Sequence, residues 1–173
     1  MKHRVMLLVL ALLIVRTGAL VAQQHDVQIT IGAVALLAVD EPGTPVVLST
    51  AAPADAGDPV TGSSDSKAIF YTVLTDATTP YRITAEVDAD PPNGTQLIVN
   101  ADPGAGNGTS ANDVTLTVAL GTQNIITAIG STATGRDPLT PPELVYTLNI
   151  TDPSQLEVTA VAQVITVTLT LTD

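Results

Sequence analysis

Apolar and polar residues alternate with a period of two in one segment of the chain after another. The clearest run closes it. Ile165, Val167, Leu169 and Leu171 share one face of an extended segment, and Thr166, Thr168, Thr170 and Thr172 share the other. A half-buried strand has this pattern, because successive side chains point to opposite faces and β-branched residues suit a pleated surface. Val27, Ile29 and Ile31 alternate with Gln28 and Thr30 near the other end. Val114, Leu116, Val118 and Leu120 alternate with Thr115 and Thr117, and Tyr146, Leu148 and Ile150 with Thr147 and Asn149. Further strands are expected over Ile69–Leu74, Tyr81–Val87 and Leu97–Asn100. Ile125, Ile126 and Ile129 have the spacing of a helical turn, but their β-branched side chains favour extended chain.

Turn residues separate these runs. Pro91-Pro92-Asn93-Gly94 stands between two of them, and Asn-Gly flanked by alternating segments predicts a hairpin. Residues 40–66 are rich in Asp, Pro, Gly, Ser and Ala and read as a long connection, with at most a short strand at Val46–Leu48. About eight strands separated by turns predict an all-β domain over residues 23–173, a β-sandwich with Ig-like or Greek-key connections.

The first residues follow a different logic. Lys2, His3 and Arg4 precede an unbroken apolar run from Met6 to Val15, and the small residues Gly18, Ala19 and Ala22 follow. This is the order of a secretory signal peptide, with cleavage expected near Ala22. The run is too short to span a membrane, which takes about 20 apolar residues. Residues 1–22 are therefore expected to leave, and the rest of the chain to be secreted, reaching the cell surface or the extracellular space through the periplasm.

Composition then narrows the chemistry. The chain has 173 residues, 17 acids against 6 Lys and Arg, no Cys and no Trp. Loss of Lys2, Arg4 and Arg16 with the signal leaves three cations against 17 acids, a net charge of −14 in place of −11. Such a surface repels phosphate, so nucleic acid is not an expected partner. Without Cys there is no thiol nucleophile, zinc–thiolate site or disulfide. After cleavage the one His is His25, close to the new N-terminus, which is a poor place for a hydrolytic base. The expectation is a protein that is not an enzyme.

The best metal candidate is Asp88-Ala89-Asp90-Pro91-Pro92-Asn93-Gly94, which has the outline of the start of a calcium loop. Asp88 and Asp90 are the candidate ligands. The Gly falls one position late, Pro92 occupies the fifth ligand position, and Val99 stands where a closing Glu belongs. The hairpin reading accounts for the same residues. No other cofactor is suggested.

The matching stretches Tyr81–Thr84, Pro92–Leu97, Gly121–Ser131, Leu144–Leu148 and Ile165–Asp173 resemble a family of secreted β-sandwich proteins common in Bacteroidota-type bacteria. The layout is more distantly similar to spore-coat-U-type and fimbrial sandwich domains. The resemblance implies an exported structural or surface protein and supplies no catalytic residues. Val27, Ile29 and Ile31 at one end and Ile165, Val167, Leu169 and Leu171 at the other are the candidate self-assembly strands. They either pair with another copy, as in strand exchange, or complete their own sandwich. The leading expectation is a matrix, coat or pilus-like structural protein. An extracellular glycan- or calcium-binding adhesion module is the alternative.

Overall fold

Alternation becomes strand wherever one face can be buried. The structure is a computed structural model that describes residues 28–76, 78–136, 140–158 and 161–173, so the signal-peptide segment and Val27 lie outside the described residues. The strands are β1 (Val34–Val39), β2 (Thr50–Ala51), β3 (Thr61–Gly62), β4 (Ser64–Leu74), β5 (Tyr81–Val87) and β6 (Thr95–Asp102). They continue with β7 (Thr109–Ser110), β8 (Val114–Leu116), β9 (Gln123–Ile129), β10 (Thr132–Ala133), β11 (Glu143–Ile150) and β12 (Val167–Thr172). Eight of them are three residues or longer, and the residues from Gly32 to Asp173 form one compact unit.

Two sheets make the fold. One runs β1-β4-β11-β6-β8, with β10 on the far half of β4; the other runs β12-β5-β9-β7. Every pairing is antiparallel. The inward faces supply one core: Ile69, Tyr71 and Val73 of β4, Leu97, Val99 and Ala101 of β6, Leu116 of β8, and Leu144 and Tyr146 of β11. They meet Ile83 and Ala85 of β5 and Ile125, Ile126 and Ile129 of β9. The chain is thus an all-β sandwich, two layers around one apolar interior.

From β4 to β9 each connection crosses between the layers, and the pairings nest: β4 with β11, β5 with β9, β6 with β8. Of the two connectivities expected, the Greek-key one is present, in its jelly-roll form. This route also corrects the Asn93-Gly94 hairpin. Because β5 and β6 lie in different sheets, residues 88–94 carry the chain from one layer to the other. The turn itself exists: the N–H of Thr95 donates to the carbonyl of Pro92 at 3.1 Å. Gly94, at φ +77°, is held by the N–H groups of Thr151 and Asp152 on its carbonyl. A Cβ there would lie 2.4 Å from the Asp152 carbonyl oxygen.

Two other expectations shift for local reasons. The Val114–Leu120 run is strand only to Leu116. The chain turns at Thr117, whose hydroxyl accepts the N–H of Leu120, and Val118 and Leu120 are exposed. In the long connection, Val46 and Leu48 pack on the core without forming a strand, and the paired residues are those of β2 and β3. Gly62 of β3 sits so close to β11 that an added Cβ would lie 1.8 Å from the Leu148 carbonyl oxygen.

The isoleucine cluster is extended chain. Ile83 faces Ile126 while Thr84 faces Asn124, so Ile125 is an extra residue in β9; a second register shift follows between Ile126 and Ile129. These bulges bring Ile125, Ile126 and Ile129 all inward, each fully buried. A bulge inserts one residue and resets the alternation, which is how strand imitates helical spacing here.

Candidate assembly edge

The sequence-predicted assembly residues divide into two groups. At the C-terminal end, Val167, Leu169 and Leu171 lie on β12 with Ile165 just before it, and all four pack against the core. Their strand pairs with β5 from Val167↔Val87 to Thr172↔Arg82, leaving Thr168 and Thr170 exposed. At the N-terminal end, Ile29 and Ile31 belong to no strand and are 79% and 76% exposed. The first strand is instead β1, which pairs with β4 from Val34↔Leu74 to Val39↔Ile69. Both terminal strands therefore pair within the chain.

Sequence reasoning missed the phase of β1. Residues 33–39 contain no polar residue, so alternation could not say which side chains face inward. The register decides it: Val39, Leu37 and Ala35 stand opposite the inward Ile69, Tyr71 and Val73. Val34, Leu36 and Ala38 consequently face outward, Leu36 at 64% exposure.

The two terminal strands occupy the same flank. β1 is the edge of the larger sheet and β12 the edge of the smaller, and they lie beside one another. On the opposite flank the edges are β8 and β7, three and two residues long. Short edges offer little backbone to another chain, and charge or Pro also blunts an edge. β1 and β12 have neither device: each is six residues long, and their sequences VALLAV and VTLTLT contain no charge and no Pro. Chemically, such an edge presents N–H and C=O groups that a further strand can pair with.

Asp88 and Asp90 tie separate backbone segments together in a way the sequence did not suggest. Asp88 Oδ1 accepts the backbone N–H of Thr166 at 2.7 Å, at the entry to β12. That N–H, followed by the Thr166 hydroxyl, holds the Asp88 carboxyl below the ordinary 3.8. Asp90 Oδ1 accepts the N–H of Val118 at 2.7 Å, and its carbonyl accepts Gln163 Nε2 at 2.7 Å. The two carboxylates thus bind backbone on two different segments. Among the described residues, no group of three or more His, Cys, Asp or Glu is placed to hold a metal ion. Asp65 follows the same pattern on the long connection, accepting the Val47 N–H at 3.0 Å.

Comparison with protein-family models, with curated proteins and with solved structures finds no match to this chain.

Proposed function

We propose that this chain is an exported, non-enzymatic structural or surface protein, a self-associating subunit of a matrix, coat or filament. One observation carries the reading: both terminal strands are long, uncharged edges gathered on a single flank, while the edges of the other flank are short. An edge left without charge or Pro invites another strand, and natural sandwiches that remain monomeric guard against this. The acids add support. Asp65, Asp76, Asp88, Asp90, Asp102 and Asp152 all accept backbone N–H groups within loops and at strand ends, which is architectural work. The basic start and apolar run of residues 2–15 support export.

Sedimentation of the purified chain over a wide concentration range tests the assembly part. The expected result is a mass that grows with concentration; a constant monomer mass overturns it. N-terminal sequencing of the protein recovered outside the cell tests export. A new N-terminus near Gln23 is expected, and retention of the chain inside the cell would sink this part of the reading.

A further inference from the structure

We infer that the β1 edge is the site at which a second copy of this chain docks, by antiparallel β1-to-β1 pairing about a two-fold axis through Leu36. The inference rests on the assembly reading above and narrows it to one strand, one partner and one register.

Charge distribution identifies the occupant. The chain carries a net −11, so copies repel one another over most approaches. No acid lies between Val34 and Val39, and the outward residues of β4 beside it, Phe70, Thr72 and Leu74, are uncharged as well. A basic partner would be drawn to the acidic loops. A like-charged copy approaches with least repulsion where charge is missing, and this strip, which ends at Asp40, is such a place.

Apolar exposure separates β1 from β12. The outward residues of β12 are Thr168 and Thr170, polar and exposed. On β1 they are Val34 and Leu36, 37% and 64% exposed, with Leu74 of β4 alongside at 36%. Val34 and Leu74 also border a shallow apolar groove closed on its far side by Thr132 and Ala133 of β10. Pairing at this edge adds backbone hydrogen bonds and covers apolar surface together, whereas pairing at β12 adds only the former.

Side-chain parity and exposure together choose the register. A two-fold axis perpendicular to the sheet keeps outward faces outward, and directly opposed residues in an antiparallel pair share a face. Outward residues must therefore meet outward residues. With the axis through Leu36, the most exposed side chain meets its own counterpart, and Val34 meets Ala38 of the second copy. A central axis between Leu36 and Leu37 would set an outward side chain against an inward one and is forbidden.

The absence of Cys from the chain allows a direct test. In this register the Leu36→Cys thiols of two copies face each other across a pair with Cα atoms about 4.5–5.5 Å apart, within disulfide range. Full-length Leu36→Cys and Thr170→Cys proteins are oxidised at a concentration where the parent associates, and analysed without reductant. The expected result is a covalent dimer from Leu36→Cys and little from Thr170→Cys. Leu36→Lys, which sets like charges opposite one another, should weaken association of the folded protein on the order of tenfold. Growth in mass without cross-linking at Leu36, or preferential cross-linking at Thr170, overturns the β1 register and leaves the assembly reading standing. A monomer at every concentration overturns both.

Discussion

Asp88 and Thr166 exchange hydrogen bonds in both directions. The N–H of Thr166 donates to Asp88 Oδ1 at 2.7 Å, and the N–H of Asp88 donates to the Thr166 carbonyl at 3.2 Å. One residue closes β5 and the other opens the approach to β12, so the exchange starts the pairing that runs on from Val87↔Val167. The last strand is thereby pinned at its beginning, by a group that can be titrated.

Acid should loosen this pin. The Asp88 carboxyl lies below 3.8 because the backbone N–H of Thr166, then its hydroxyl, favours the charged form. Asp65, held down first by the Val47 N–H, and Asp76 and Asp152, held down first by the hydroxyls of Thr78 and Ser154, shift the same way. A carboxyl whose folded value is depressed contributes stability that is complete above the unfolded value and is lost as pH falls through the folded one. Urea midpoints should therefore hold steady down to about pH 4 and fall below it. Asp88→Asn should flatten part of that fall and speed hydrogen exchange at the Thr166 amide. A Thr166 amide equally protected in the variant would show that the pin does not hold the strand.

Alkali should act through two buried phenols. Burial, then the nearby Asp102 carboxylate, pushes the Tyr71 hydroxyl up to about 12, and burial alone does the same for Tyr146. The neutral phenol is the form the fold favours. The stability it contributes is complete below the ordinary value of 10.0 and drains away as pH rises towards 12. In a spectrophotometric titration of the native protein, two of the three tyrosines should ionise only near that upper value. Tyr71 also donates to the Asn107 carbonyl at 2.8 Å, so Tyr71→Phe should cost about 1 kcal/mol. Two phenols titrating normally would contradict this placement.

Leu116 and Leu120 test where the alternating run stops being a strand. Both sit at the same phase of one pattern, yet Leu116 is fully buried and Leu120 is 53% exposed. Leu116→Ala should cost about 2–5 kcal/mol in denaturant unfolding, and Leu120→Ala no more than about 0.5 kcal/mol. Equal losses would mean that β8 continues through Thr117.

The same contrast shows what the sequence made legible. Period-two alternation located β5 to the residue and β12 nearly so, because each alternates an inward apolar face with polar residues. It could not locate β1, where every residue is apolar, nor end β8, because the turn at Thr117 depends on crossing to the other layer. Asn93-Gly94 announced a turn truthfully, but local chemistry does not say whether the strands on either side share a sheet. Asp88 and Asp90 were legible as an acid pair; their N–H donors lie 78 and 28 residues away, beyond the reach of any spacing rule.

Ala128 offers the sharpest test of the bulged β9. It is the residue of that strand with a positive φ, 55°, and its side chain is exposed. An L-residue in this left-handed region is strained by roughly 1–2 kcal/mol relative to right-handed backbone, a strain that glycine escapes at some cost in unfolded-chain entropy. Ala128→Gly should therefore raise stability by up to about 1 kcal/mol. Ala128→Val, β-branched and less able to adopt this conformation, should lower it by about that much or more. The bulge also explains why the neighbouring isoleucines are all inward, so flattening it would turn one of them to water. If Ala128→Val stabilises the protein, as β-propensity alone would have it, β9 runs straight past Ala128 and the register opposite Tyr81 and Ile83 is wrong.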